Sequence, residues 1–268
     1  AAAPFEKVLA NAEIPADALA AYADRVEKAR ADQKHNQSAN FSRLAQYVVY
    51  GPKNYSTVTI TPDQLRSISP AKFVDALRDL NKYEQTVVYW GKAPAKDVVA
   101  LVNKTHEFAK SPLPRPTADK YAQQQPTETI FFISPYEAKQ LYMYGYSNKG
   151  EEYDQAKEPM RNLYNEYFGN SMNAIVFQEM RERRSLAYSA WAGYNAPSRK
   201  GKPYTYLSQI ATQNDKLADA LAAFDEIINV LPESEAAFQL AKTGLESRLR
   251  TERILNDCLL YTSDAADE

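Results

Sequence analysis

Residues 177–188 read Phe-Gln-Glu-Met-Arg-Glu-Arg-Arg-Ser-Leu-Ala-Tyr and run without a break into Ser189-Ala-Trp-Ala-Gly-Tyr-Asn195. The spacing predicts a helix from Met172 to Arg184, with Met172, Ile175, Val176 and Met180 turned inward. It stops at Ser185, and an alternating run begins with Leu186 and Tyr188. A cationic helix end that turns directly into a strand brings Arg181 and Tyr188 to one junction. Arginine presents a rigid fork of permanently charged donors. Tyrosine presents a hydroxyl on an apolar body. Together they could hold a carbonyl or a carboxylate. Residue types alone favour a plainer arrangement, an amphipathic helix with a solvated basic face and a tyrosine that fills a sheet core.

Around this junction the pattern alternates between strands and helices. Thr129-Ile-Phe-Phe-Ile133 reads as a strand, and so does Lys139–Ser147, with Leu141, Met143 and Gly145 on one face and Tyr142, Tyr144 and Tyr146 on the other. A helix is expected from Asp154 to Phe168, striped by Met160, Leu163, Tyr164 and Tyr167 and ended by Gly169-Asn170. Glu151, Glu152 and Asp154 cluster at its start, where carboxylates suit the helix dipole better than acid/base work. Strands over 187–195 and 204–212 are joined by the basic loop Pro197–Pro203. Asn214-Asp215 should cap a helix from Lys216 to Leu231, and another begins near Pro232-Glu-Ser-Glu235 and runs through Leu249. Hairpin-paired strands with helices bunched between the pairs predict an α+β class, with two-layer domains in which helices pack on one face of an antiparallel sheet.

The N-terminal part reads differently. Residues 5–34 are helical by pattern, with Pro15 and Ala16-Asp17 able to open the second helix and Leu19, Tyr22, Val26 and Ala29 on one face. His35–Asn40 is a polar break, and a helix from Phe41 to Tyr50 ends at Gly51-Pro52. Thr61-Pro-Asp-Gln64 has the form of a helix start, with Thr61 as cap and Pro62 at the first position. Ser69–Leu80 is a clearer helix with Phe73, Leu77 and Leu80 on one side. Thr86–Trp90 reads as a short buried strand closing at Gly91, followed by a helix from Lys96 to Phe108 with Val98, Val99, Leu101 and Val102 inside. Lys110-Ser-Pro-Leu-Pro-Arg-Pro116 and the polar stretch to Pro126 form a semi-rigid linker.

Composition narrows the classes. The 268 residues are 44% hydrophobic and 25% charged, with a net charge of −2, so no global pull toward nucleic acid is expected. No apolar run approaches the roughly 20 residues of a membrane helix. Eight glycines build no phosphate loop or dinucleotide fingerprint, and there is no Gly-x-Ser-x-Gly elbow. The two histidines, His35 and His106, have no second histidine within helical reach, so both read as exposed and neither as a metal ligand. Ala1-Ala-Ala-Pro-Phe5 carries neither an initiator methionine nor a signal-like run and reads as a cut from a longer chain. Residues 256–268, with the single cysteine Cys258, fit no pattern before them and read as an artefactual tail.

Phe177-x-x-x-Arg181-Glu182-x-x-x-Leu186-Ala187-Tyr188 resembles the signature of the second, non-catalytic half of the pitrilysin/insulinase-like zinc metallopeptidases, the inverted zincins. Tyr206–Lys216 is similar to that family's later strand and turn, and Tyr89-Trp-Gly-Lys92 to a tetrapeptide that closes the preceding domain. The resemblance is good over about 126–255 and weaker over 41–105. It implies that 1–110 end one family domain, 111–125 link, and 126–255 form most of the last, inactive domain. It also implies that Arg181 and Tyr188 reach the substrate backbone carbonyl beside the bond to be cut. One such donor is worth roughly 3–4 kcal/mol in a transition state. Glu182 would hold Arg183 or a backbone group instead of substrate, and the Arg183-Arg184 pair could pack on a helix or face solvent.

The implied whole is a zinc-dependent endopeptidase that closes two halves around a peptide. Zinc and its base would belong to the catalytic half, in the same chain or in a partner subunit. No His-x-x-Glu-His occurs here, so this chain alone should be inactive, with no catalytic residue and no metal ligand of its own. Two other readings stay open. One is a non-enzymatic scaffold or core subunit of the same fold, which has no need of both Arg181 and Tyr188. The other is an unrelated peptide-binding module. The compartment is also open, with export to the cell envelope or periplasm as one option.

Overall fold

The computed structural model describes residues 6–252 apart from 9, 16, 90 and 198–200. Its chain divides into two compact units, one formed by residues up to Ala39 with Tyr55–Tyr121, the other by Asn40–Asn54 with Ala122 onward.

The first unit is helical. Helix α1 (Ala18–Lys34) buries Leu19 and Ala23, one turn apart, instead of the Tyr22 and Ala29 stripe. Helix α2 (Gln37–Tyr50) starts four residues earlier than its apolar pattern, and its residues from Asn40 on lie with the second unit. Helix α3 (Pro62–Ser67) opens as the sequence expects. Gln64 N–H donates to Thr61 Oγ1 at 3.1 Å, and Thr61 N–H donates to the Gln64 side chain at 2.9 Å. This reciprocal box satisfies two of the backbone donors that a helix start leaves free. Arg66 ties α3 to α1 through Asp24 at 2.7 Å and Glu27 at 2.6 Å.

Helix α4 (Pro70–Asp79) buries Val74, while Phe73 and Leu80 are exposed. Helix α5 (Ala95–Thr105) buries no residue, and Val99 and Leu101 point to solvent. Residues 86–89 are exposed and form no strand, whereas Trp90 lies outside the described residues. A strand needs a ladder partner, and among the described residues the pairing nearby is a single bridge between Tyr83 and Leu113. Glu84 N–H donates to Leu113 O and Leu113 N–H to Lys82 O, both at 2.8 Å, so the proline-rich segment is anchored at this point.

The second unit carries the sheet. Strands β1 (Gln140–Ser147), β2 (Ser189–Asn195) and β3 (Thr205–Gln213) form an antiparallel sheet in the order β1-β3-β2. Met143, Ile210 and Ala190 are aligned across it on one face, and Tyr144, Gln209 and Trp191 on the other. The first face is the core face, as the alternation of β1 predicts. It packs against helix α6 (Glu158–Phe168), the short helix α7 (Ile175–Phe177) with the π-helical turn Gln178–Arg183 after it, and helix α8 (Leu217–Asn229). Phe168, Val176, Met180, Ile210 and Ile227 are essentially solvent-free. Each contributes about 1.5–3 kcal/mol by burial. On the other face Phe41 of α2 meets Tyr142 and Tyr144, with ring centroids 5.3 and 6.3 Å apart. Helix α9 (Glu235–Thr251), capped by Ser234, is bound to α6 by Arg248 and Glu166 at 3.2 Å. The α+β class is borne out.

Three expectations for this unit fail. Residues 129–133 form no strand: among the described residues β1 pairs with β3 alone, and Phe131 and Ile133 are exposed. Met160 and Met172 face solvent: Met160 lies outside the α6 stripe, and Met172 precedes the first helical turn at Ile175. Asn214 does not cap α8, because its side chain donates to Ala138 O at 2.7 Å and a 3-10 turn, Asn214–Lys216, leads into the helix. Asp154 does cap, with Oδ1 accepting from Ala156 N–H at 2.9 Å, and Glu151 pairs with Lys157.

Candidate functional site

The junction between Met180 and Tyr188 departs from a regular helix-to-strand turn in two ways. Gln178–Arg183 is wound as a π-helix, a rare geometry that adds a residue to the turn. Ser185 then takes a left-handed conformation at φ 50°, the only positive φ outside glycine among the described residues. A serine pays roughly 1–2 kcal/mol for that conformation, so the surroundings must hold it. They do so through hydrogen bonds from both backbone and side-chain donors. Leu186 and Ala187 N–H both donate to Met180 O, at 2.8 and 3.1 Å, and Tyr188 N–H donates to Ala211 O of β3 at 2.9 Å. Thr212 Oγ1 donates to Leu186 O at 2.6 Å, and Lys216 Nζ to Ser185 O at 2.9 Å.

This crossover brings Arg181 and Tyr188 together. The guanidinium carbon of Arg181 lies 5.4 Å from the centre of the Tyr188 ring and 5.1 Å from that of Phe177. Both distances suit cation–π attraction. Its nearest carboxylate oxygen, on Glu182, is 3.6 Å from Nε, too far for a hydrogen bond. Glu182 therefore leans toward Arg181 and not toward Arg183. Tyr188 is 70% exposed and does not fill a sheet core. Both residues line an open cleft of about 480 Å³ with Gln140, Glu182, Thr212 and Lys216. The donors of Arg181 and the hydroxyl of Tyr188 are thus available to an oxygen entering the cleft.

The other two arginines of the run are structural. Arg183 pairs with Glu179 and is otherwise exposed. Arg184 reaches Glu226 of α8 at 2.8 Å, and this hydrogen bond lowers the Glu226 carboxyl below its usual range and raises the Arg184 guanidinium.

Nothing in this donor set suits a metal ion. Among the described residues no group of three or more His, Cys, Asp or Glu could hold one. His35 is exposed beyond the end of α1. His106 is not the exposed helical histidine expected: it caps α5, and its Nδ1 lies 2.6 Å from Glu6 Oε1 with the ring half-buried against Phe108. Cys258 lies outside the described residues, as do residues 198–200. No described helix is long and apolar enough to cross a membrane.

The peptidase M16 inactive domain matches residues 84–245, more than half of the chain and including the whole junction. No curated protein matches. Among solved structures the chain is similar to a peptidase M16 inactive domain from Pseudomonas fluorescens, at 18% identity and a TM-score of 0.63, covering 98% of this chain and 62% of that one. It is similar to the periplasmic protease PqqL from Escherichia coli, at 14% identity and a TM-score of 0.61, covering 92% and 27%. It also resembles a chain of complex III2 from Candida albicans, at 12% identity and a TM-score of 0.54, covering 98% and 63%. At these identities the likeness is one of fold, and the chain spans less than two thirds of each of these structures. The family match, which covers both the arginine-bearing π turn and the sheet it enters, decides the assignment: the chain belongs to the peptidase M16 family, in its C-terminal, non-catalytic half.

Proposed function

We propose that this chain is the substrate-binding half of an M16 endopeptidase, and that Arg181 and Tyr188 donate to the carbonyl oxygen of the peptide bond being cut. The observation that carries the reading is the Arg181 guanidinium set over the Tyr188 ring at 5.4 Å in an open cleft. Two donors stacked against each other start close to the geometry that one oxygen needs. They need little rearrangement as negative charge builds on the oxygen, and one such donor contributes roughly 3–4 kcal/mol. The phenol offers a neutral O–H and the arginine a charged fork.

The general base and the zinc belong, in this reading, to a catalytic half in the same chain or in a partner subunit. The peptide is enclosed between the two halves. Residues 1–110 then end the preceding family domain, 111–125 link, and 126–255 form most of the last domain.

The test is peptide hydrolysis by the full-length protein, with and without a chelator. Cleavage abolished by the chelator and restored by zinc supports the reading. A purified full-length protein that holds no zinc and cleaves no peptide in a random-sequence mixture contradicts it. That outcome favours a scaffold of the same fold, the alternative to which the likeness to a complex III2 chain lends its fold only.

A further inference from the structure

The cleft contains a second cation that the proposed substrate contact does not use. Lys216 closes the 3-10 turn Asn214–Lys216 after β3 and lines the cleft together with Arg181. Its ammonium donates to Ser185 O at 2.9 Å. That carbonyl belongs to the one non-glycine residue with a left-handed backbone among the described residues. The contact is also charge-assisted, stronger than a neutral one, and it sits where a helix C-terminus accumulates partial negative charge.

Arg181 is on the last π turn and Tyr188 is the residue before β2. The backbone of residues 182–187 sets their separation, and that segment contains the left-handed turn at Ser185. Thr212 fixes the next carbonyl, that of Leu186, at 2.6 Å. Thr212 is buried, so its replacement would disturb the core, whereas Lys216 reaches in from the cleft rim.

We infer that Lys216 is a positioning residue for the Arg181–Tyr188 pair: by holding the Ser185 carbonyl it keeps the left-handed turn that sets the guanidinium over the phenol ring. The inference rests on reading that pair as the substrate contact.

The experiment compares full-length wild type, Lys216→Met, Lys216→Arg and Tyr188→Phe by hydrogen exchange without substrate and by peptide hydrolysis. Lys216→Met should speed exchange of the Leu186, Ala187 and Tyr188 amides by at least tenfold. It should lower kcat about tenfold with KM within twofold, and lower the melting temperature by only about 2–6 °C. Lys216→Arg, which restores a charged donor, should recover most of both. Unchanged exchange in Lys216→Met overturns the inference, and because no substrate is present this arm stands whether or not the protein cleaves. Faster exchange with an unaffected kcat, beside an impaired Tyr188→Phe, also overturns it while leaving the substrate reading intact. A Tyr188→Phe protein as active as wild type overturns the substrate reading itself, and the positioning role with it.

Discussion

Gly169 is where the fold tolerates no side chain. It ends α6 at φ −140°, an ordinary backbone angle, so left-handed strain is not the reason for glycine there. The reason is close approach: a Cβ would lie 1.6 Å from Ala192 O and 2.6 Å from Ala192 C on β2. Both neighbours are backbone, and no rotamer change can relieve the overlap. The end of α6 would have to withdraw from β2 by about 2 Å, whereas even milder overpacking costs about 1–3 kcal/mol. The retreat would also strain the adjacent bracket, in which Asn165 Nδ2 donates to Tyr194 O and Oδ1 accepts from Tyr194 N–H, both at 2.8 Å. Gly169→Ala should therefore destabilise the second unit by about 3 kcal/mol or more. Hydrogen exchange of the β2 amides reads this directly, as an acceleration of roughly two orders of magnitude. Gly244→Ala is the matched control. Its Cβ would meet Glu166 Oε1 at 3.7 Å, an ordinary contact, inside α9, and helix propensity predicts a gain of about 1 kcal/mol. Exchange in Gly169→Ala within threefold of wild type would refute the close-approach argument.

Two further predictions concern the same face. Asn165→Leu removes the bracket and leaves the Tyr194 N–H without its acceptor, whereas Tyr194 O keeps a bond from Arg161 at 3.2 Å. Urea unfolding should show a loss of about 2–3 kcal/mol, and a loss below about 0.5 kcal/mol would mean that the amide is satisfied otherwise. Glu158 accepts from Arg161 at 3.0 and 2.6 Å and from the Tyr204 hydroxyl at 2.8 Å, and the arginine above all lowers its carboxyl below the usual range against the opposing effect of burial. A carboxyl depressed in the folded state stabilises fully above its unfolded value, roughly 4.3, and that stabilisation is lost as pH falls through the folded value. The stability gap between wild type and Glu158→Gln should thus be constant above about pH 6 and shrink below about pH 4.5, and a gap that does not change with pH would count against the ion pair.

Much of the fold is legible where the signal is local. The Thr61 box is written in four residues, and the β1 alternation separates Met143 from Tyr142 and Tyr144 as the structure does. What escapes depends on partners distant in sequence. Residues 86–89 and 129–133 have strand composition, yet a strand exists only against another, and no ladder forms there. Met172 and Met160 fit a helical period, but a period of 3.6 residues does not say where the first turn begins or how wide the buried stripe is. The pairing of His106 with Glu6 joins residues 100 positions apart and has no sequence signal.

The site divides in the same way. Residue types alone favour a solvated helix face and a core tyrosine at the junction, and it is the resemblance that singles out Arg181 and Tyr188. The π turn and the left-handed Ser185 that bring them together leave no mark in the residue pattern, since serine normally avoids that conformation. Lys216 is visible in the sequence only as part of a helix start, and its reach to the Ser185 carbonyl emerges once β3 has been placed beside the junction.

The most direct test of the central claim is kcat/KM for a single peptide with the full-length Tyr188→Phe variant beside wild type. Phenylalanine keeps the ring under the Arg181 guanidinium and removes only the hydroxyl, so packing is held constant. The account predicts a fall of about 10²-fold or more, carried by kcat, as expected for a donor to the oxyanion. An unchanged kcat/KM would contradict it and remove the Tyr188 hydroxyl from the chemistry.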